Sequence, residues 1–242
     1  MVLLNWKKRI MVPALVLALT GTLLGFTLRY LPTEKTFGYA DAGKISVIVD
    51  AGHGDPDGGT VGASGTVEKD INLAIAQKLQ EVLEGKGIRV VMTREGDSGL
   101  QDAGATTIRE MKRSDMNKRL DIMKKSNADL FLSIHMNSFA NGSVNGLHIF
   151  YAKNHAEMEP LADNIQNRMG QITGAKVHAV KTADSNLFLM KDPPLPAILV
   201  ECGFLSNPEE EKKLSDDDYQ ARIAWAIGDA VEDYYQEQLF TK

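Results

Sequence analysis

The sequence predicts an α/β protein built on a mainly parallel sheet with helices on both faces. Short β-branched apolar runs alternate along the chain with longer segments whose apolar residues recur at helical spacing. The predicted strands are apolar on both sides, which is typical of strands that helices cover on both faces. With 242 residues, 43% apolar and 24% charged, the chain has the composition of a globular protein and the length of one domain with an appendage.

The predicted elements follow one another through short connections. The first strand runs into the loop AGHGDPDGGTVGASG, which is too rich in glycine to be regular structure. A polar segment at 96–107 has no predicted shape. The strands are predicted at 45–49, 88–93, 129–134, 146–151 and 197–200, and the helices at 71–87, 109–126, 154–172 and 219–239.

The N-terminus predicts a transmembrane helix ahead of this domain. Residues 10–28 contain no charge, follow Lys7-Lys8-Arg9, and are long enough to cross a bilayer as a helix. The bases on the N-terminal side predict an exported body anchored to the membrane, with a cleaved signal peptide as the alternative. The sequence therefore divides into an anchor or signal at 1–30, a linker at 31–43 and a folded domain at 44–242.

Charge and cysteine content exclude some classes of protein. The net charge is −5, although four of the 27 lysines and arginines, and none of the 32 acids, lie in residues 1–30. An acidic body of this kind argues against a nucleic-acid partner, because phosphate contacts need clustered bases. Cys202 is the only cysteine, which rules out an intrachain disulfide.

Polar residues stand at the carboxyl ends of three predicted strands. His53 follows the first strand, His135 follows DLFLSI and Glu201 follows AILV. Because ligands bind at this edge of open α/β sheets, we expect the three side chains to lie close together. Glu68 precedes a helix that the sequence places near Asp70, after the Gly-rich loop has turned back over the same edge.

These residues suit a hydrolytic metal centre. Two imidazoles and a carboxylate form a three-ligand set that is typical of catalytic Zn²⁺, with the fourth position left for water. Glu201 is then the acid–base group that takes a proton from the attacking water and returns it to a leaving amine. The sequence has no HExxH helix, so the common metalloprotease signature is absent.

Five blocks of the chain resemble a known family. VDAGHGDPDGG, TVEKDINLAIA, VVMTR, ADLFLSIHMN and ILVECGFLSNPEE are similar, in order and spacing, to blocks of the zinc-dependent N-acetylmuramoyl-L-alanine amidases of the amidase-3 type. The resemblance implies a twisted six-stranded sheet and hydrolysis of the amide between N-acetylmuramic acid and L-alanine in peptidoglycan. It also implies one zinc ion held by His53, Glu68 and His135, with Glu201 as the catalytic glutamate. The third ligand and the substrate rest mainly on this resemblance.

The chain departs from the family pattern at a few places. Ala51 and Asp55 stand where proline and glycine are usual, and Cys202 stands at a position expected to be aliphatic. The short segment between His135 and Gly146 leaves no room for the self-blocking helix of some members. The predicted anchor, and the polar segment near 96–110, are similar to the membrane-anchored branch that acts on the spore cortex during germination and sporulation, where the cut helps to form muramic-δ-lactam.

Two other functions stay open. One is a wall-binding protein on the same fold that depends on an activator protein, and the other is a metal peptidase that cuts within the stem peptide. The predicted partners are peptidoglycan and, through the N-terminal helix, the membrane.

Most of the other polar residues of interest are expected to have structural roles. His148, His155 and His178 are expected to lie outside the site, and Cys202 to be a small buried hydrophobe. Arg94 is expected to tie down the sheet edge or a carboxylate, whereas Asn137 is a candidate substrate contact. The Gly-rich loop lacks the Gly-Lys-Ser/Thr ending of a phosphate-binding loop.

Overall fold

The structure is a computed structural model that describes residues 45–240. The predicted anchor at 1–30 and linker at 31–43 lie outside the described residues. Within 45–240, no helix combines the length and apolar character needed to span a bilayer.

The centre of the fold is a six-stranded, mainly parallel sheet, as predicted. Its strand order is β2-β1-β3-β6-β4-β5. Each pair of neighbours is parallel except β4 and β6, which run antiparallel. The strands are β1 (Ser46–Ala51), β2 (Arg89–Met92), β3 (Leu130–Asn137), β4 (His148–Tyr151), β5 (Lys181–Thr182) and β6 (Ala197–Phe204).

Helices cover both faces of the sheet, also as predicted. The first, third and fifth helices pack in the larger apolar core, and the second packs over the other face, where Met123 contacts the smaller core around Phe131. Thr107 and Glu110 form a capping box that starts the second helix. The helices are α1 (Glu68–Gly85), α2 (Ile108–Lys125), α3 (Glu159–Thr173), α4 (Pro208–Leu214) and α5 (Asp217–Phe240).

The sequence pattern did not predict two of the elements and misplaced the start of a third. The strand β5 is two exposed residues long, and α4 is seven residues of mostly charged sequence, so neither carries a readable period. The helix predicted over 154–172 is in fact a 3₁₀ segment, Lys153–Met158, followed by α3. His155 has non-helical dihedral angles there, and Pro160 is tolerated only because it stands in the first turn of α3.

The strands that carry the candidate site are longer than predicted. β3 continues to Asn137 and β6 to Phe204, so His135 and Glu201 lie within these strands and not beyond their ends. They are direct partners in the parallel register of β3 and β6. Paired residues on adjacent strands point to the same face, and the two side chains therefore stand next to each other at the carboxyl edge of the sheet.

Candidate metal centre

His53 stands on the loop that leaves β1, in a backbone conformation that histidine rarely adopts. Its φ is 61°, in the left-handed region, which costs free energy for a residue with a side chain. The imidazole is turned so that Nδ1 is 3.0 Å from Asp57 Oδ2 and Nε2 is 3.2 Å from Glu68 Oε1. Asp57 thus occupies one ring nitrogen and leaves Nε2 directed at Glu68.

Glu68 is the first residue of α1 and connects the two histidines. Its Oε1 lies 3.0 Å from His135 Nδ1 and accepts a hydrogen bond from the Met136 amide at 3.1 Å. Its Oε2 accepts from the Thr60 amide at 2.8 Å. Burial disfavours the charged carboxylate, but the two histidines outweigh it and hold the pKa of Glu68 well below its ordinary value. The side chain is therefore ionised and available as a ligand.

Two glycines leave the space that these side chains occupy. A Cβ on Gly52 would lie 2.3 Å from His135 Nε2, so the ring of His135 packs directly on the Gly52 backbone. A Cβ on Gly59 would lie 2.5 Å from Glu68 Oε2 and 2.7 Å from Cδ2 of His53. The Gly-rich loop can approach the three side chains this closely only because these positions lack a side chain.

Three residues, His53, Glu68 and His135, form a group that could hold a metal ion. One ligand atom from each lies within 4.8 Å of the others, and the two rings meet edge to face with centroids 4.9 Å apart. Two imidazole nitrogens and a carboxylate oxygen form a donor set that Zn²⁺ accepts. The three residues that the sequence proposed as ligands are therefore brought together, and they fit such an ion.

Glu201 places a carboxylate beside this group. Its Oε2 is buried and has no hydrogen-bond partner among residues 45–240. Burial raises the pKa of Glu201 to about 7, and the nearby charge of Glu68 adds to the rise while His135 opposes it. A buried carboxyl without a partner is costly, and a cation bound next to it would relieve that cost. The unpartnered oxygen is thus a second observation that fits a metal at this site.

Asp57 is a functional residue that the sequence analysis missed. It contacts His53 as described, and its Oδ1 also meets Lys112 Nζ of α2 at 3.0 Å. Carboxylates that accept from the second ring nitrogen of a ligand histidine fix its orientation. The available signal was the position of Asp57 in HGDPD, four residues after His53.

The polar segment after β2, which had no predicted shape, packs against the same loop. The amide of Asp55 donates to Asp97 O at 2.8 Å, and the amide of Gly99 donates to Asp55 O at 3.0 Å. Gln101 Nε2 also donates to Asp55 O at 2.8 Å. This segment therefore braces the His53 loop from outside.

Two buried arginines, Arg119 and Arg94, donate hydrogen bonds to the backbone of the loop that carries His53. Arg119 of α2 has no exposed side-chain surface; it pairs with Asp50 and donates to the carbonyls of Ala51 at 3.0 Å and His53 at 2.6 Å. Arg94 was expected to tie down the sheet edge or a carboxylate. It does tie the edge, but through carbonyls, since it donates to the oxygens of Ala51, Gly52, Lys69 and Gly96.

Residues 47–233 match the family model described as N-acetylmuramoyl-L-alanine amidase, Amidase_3. The chain belongs to this family. The match runs from the second residue of β1 through β6 and includes all four residues of the site, and it confirms the resemblance on which Glu68 had mainly rested.

Several members of the amidase family are similar over most of their length. The germination-specific N-acetylmuramoyl-L-alanine amidase of Bacillus subtilis (strain 168) is 34% identical over 197 residues, which cover 81% of this chain and 82% of the relative. The CwlD amidase of Clostridioides difficile, solved in complex with the GerS lipoprotein, is 39% identical with a TM-score of 0.76, covering 80% of this chain and 99% of that one. The catalytic domain of CwlV from Bacillus (Paenibacillus) polymyxa var. colistinus is 30% identical, with a TM-score of 0.67 over 79% of this chain and 98% of that one.

The other candidate residues have different surroundings. Cys202 is buried in the larger core, as predicted, and burial raises the pKa of its thiol. His155 contacts Glu157 and the Pro193 carbonyl, away from the ligand group. Asn137 Oδ1 accepts from the Ser138 amide at 2.8 Å, and its contact with substrate stays a prediction.

A further residue that sequence reasoning missed is Glu211 of α4. It is buried, and both of its carboxylate oxygens accept from the Ser64 amide at 3.0 Å, while Oε1 also accepts from the Thr66 amide at 3.3 Å. Glu211 thereby fastens the far end of the Gly-rich loop to the body of the fold. Little in the sequence indicated this role for Glu211, because α4 itself was not predicted.

Proposed function

We propose that this chain hydrolyses the amide between N-acetylmuramic acid and L-alanine in peptidoglycan, with one zinc ion held by His53, Glu68 and His135. The observation that carries the proposal is the convergence of these three side chains next to a buried carboxyl oxygen of Glu201, which has no partner in the described part of the chain. Membership of the amidase family supplies the substrate class.

Three of these residues would hold the metal, and the fourth, Glu201, would move a proton. When bound, the ion supplies Lewis-acid polarisation of the scissile carbonyl and lowers the pKa of water at its open position. Glu68 contributes the only negative charge of the ligand set and is kept ionised by its two histidine neighbours. A divalent ion held by this ligand set would therefore keep net positive charge, which would stabilise a developing oxyanion.

Glu201 is proposed as the general base and then the general acid. Its Oε2 accepts a proton from the attacking water as the new carbon–oxygen bond forms, and returns it to the amide nitrogen as the carbon–nitrogen bond breaks and L-alanine leaves. A carboxyl at this position is suited to both roles, because its carboxylate form accepts the proton and the resulting acid donates it again.

We place this activity outside the cytoplasm, on peptidoglycan of the spore cortex. The apolar run at 10–28, preceded by Lys7-Lys8-Arg9, supports export with a membrane anchor. The similarity to a germination-specific amidase supports the cortex. The related CwlD amidase was solved with a lipoprotein, which supports testing the chain both alone and with a lipoprotein partner. A fusion of residues 1–43 to a phosphatase reporter that works only after export tests the location.

The central experiment measures zinc and reaction products on the full-length chain. We expect about one zinc per chain, and new L-alanine N-termini when purified peptidoglycan is digested. Glu201→Gln should keep the zinc and lose activity by at least about 100-fold, since positioned acid–base groups contribute about 10²–10⁴-fold. His135→Ala should lose both zinc and activity.

Glu209→Gln is the matched control, because Glu209 is an exposed glutamate near the same edge and the exchange is identical. It should retain zinc and full activity. If the products carried N-termini from inside the stem peptide, the chain would be a peptidase and not an amidase. An absence of bound zinc after purification with zinc present would contradict the proposed centre.

A further inference from the structure

A row of polar side chains extends the site across the sheet. Glu201 of β6 is the register partner of His135 on one side and of His148 of β4 on the other. Register partners point to the same face, so His148 stands beside Glu201 on the side away from the metal ligands. The sequence analysis had placed His148 and His178 outside the site.

His148 is the centre of a group of basic residues. Its ring meets the ring of His178 edge to face, with centroids 4.5 Å apart, and packs on Phe204 at 5.4 Å. The group is completed by Lys176 and Lys181, whose charges act on the same ring. Burial holds the pKa of His148 below its ordinary value, and the three neighbouring bases lower it further. The ring is therefore neutral at pH 7 and has one N–H to donate.

The charges of this basic group are not neutralised within residues 45–240. Lys176 and Lys181 are exposed, and neither ammonium forms an ion pair there. Neither ring nitrogen of His148 has a hydrogen-bond partner in this part of the chain. His178 Nε2 is occupied by the Asn145 carbonyl at 3.0 Å.

Apart from Glu201 itself, the carboxylate of Glu210 next to this edge is already in use. Glu210 accepts hydrogen bonds from the amides of Gly146 at 2.9 Å and Phe204 at 2.8 Å. Its oxygens face the backbone and serve to hold the two loops. In a chain whose net charge is −5, a basic group whose two lysines form no ion pair within residues 45–240 is complementary to an anion.

We propose that His148, His178, Lys176 and Lys181 form a subsite that binds a carboxylate of the substrate's peptide. The inference rests on the proposed function, which puts the scissile amide at Glu201. A peptide that leaves this point along the sheet edge towards β4 would pass the basic group. The peptide of peptidoglycan carries free carboxylates beyond L-alanine, and the subsite selects substrates on that charge.

The test compares a charged ligand with its neutral counterpart. Binding of N-acetylmuramoyl-L-alanyl-D-glutamate and of its diamide to full-length Glu201→Gln protein is measured by calorimetry, and cleavage of both is measured with the active enzyme. The variant Lys176→Gln/Lys181→Gln should weaken binding and raise KM about fivefold for the charged compound, with no change for the diamide, since two exposed charges contribute this order of magnitude. The difference should shrink at 1 M salt.

The matched control is Lys124→Gln/Lys125→Gln, which removes the same two charges from the last turn of α2. It should leave both compounds unaffected. Equal binding of the charged compound and the diamide, or an equal loss for both in the Lys176/Lys181 variant, would overturn the subsite. The protein could still bind the charged compound more tightly than the diamide while the active enzyme released no L-alanine N-termini. That result would count against the proposed reaction alone.

Discussion

The Nη2 atom of Arg119 donates to the backbone carbonyl of His53 at 2.6 Å, so a buried guanidinium on α2 holds the candidate ligand in its left-handed conformation. The same side chain neutralises Asp50 and forms an ion pair with Asp115 at 2.7 Å. Asp50 accepts further hydrogen bonds from Thr93 and Ser133. The loop that carries His53 therefore rests on a closed polar network in the core.

Arg119→Met should lower the free energy of unfolding by about 3–5 kcal/mol, because it leaves Asp50 buried without its positive partner. Urea unfolding of the variant and the parent chain measures the difference. Lys118→Met, at the exposed neighbouring position, should change it by less than about 0.5 kcal/mol. A loss below 1 kcal/mol for Arg119→Met would show that the network can reorganise without it.

Asp57→Ala should weaken zinc binding about 10–100-fold, the usual effect of removing a carboxylate behind a ligand histidine. The fold should be unaffected, since the half-buried Asp57 lies on a loop and its contacts, with His53, the Gly59 amide and the exposed Lys112, lie outside the apolar core. Competition with a chromogenic chelator measures the affinity. Asp57→Asn, which keeps an oxygen for His53 Nδ1, should recover part of the loss.

Asp55→Ala is the control for this series. Asp55 is exposed and two residues away, and it contacts its surroundings through its backbone. It should bind zinc as tightly as the parent chain. Equal affinities for all three variants would mean that Asp57 does not orient His53.

Gly52→Ala should disrupt the centre by displacing one side chain. The new Cβ would lie 2.3 Å from His135 Nε2, so the ring must leave its position. We expect at least a tenfold loss of zinc affinity, measured by the same chelator competition. Gly85→Ala, where nothing lies within 4 Å of the new methyl group, should bind zinc normally. Normal binding by Gly52→Ala would show that the ring position is not essential.

Glu211 should make stability depend on pH in the acid range. Burial raises the pKa of its carboxyl, but the amides of Ser64 and Thr66 outweigh this and hold the pKa below its ordinary value. A pKa lowered by folding stabilises the protein above the ordinary value, near 4.3, and the contribution is lost as the pH falls below it. Glu211→Gln should therefore cost about 1–3 kcal/mol at pH 7 and progressively less from pH 5 to pH 3. Chemical unfolding over this range measures it.

The matched exchange Glu209→Gln, on the same helix, should show no such trend. A Glu211→Gln cost that stayed constant down to pH 3 would mean that the carboxylate charge is not what holds the loop.

Sequence patterns predicted the fold and three of the four site residues because these depend on strong local signals. The β-branched strands and the period of α1, α2 and α5 are long enough to read. His53, His135 and Glu201 follow from where the apolar runs in the sequence stop. The elements missed, β5 and α4, are short and polar, and tertiary contacts stabilise them. Glu68 needed the family resemblance, since nothing local separates it from other glutamates at a helix start.

The order of strands along the chain, together with their polar termini, determined that the chemistry would lie at one edge of a parallel sheet. Only the tertiary structure decided how that edge is completed. The register of β4 against β6 puts His148 beside Glu201, and the crossing of α2 puts Arg119 beneath His53. These neighbours are 53 and 66 residues apart in sequence, and no local pattern encodes such pairs. They arise when burial of the two apolar faces sets strand register and helix position.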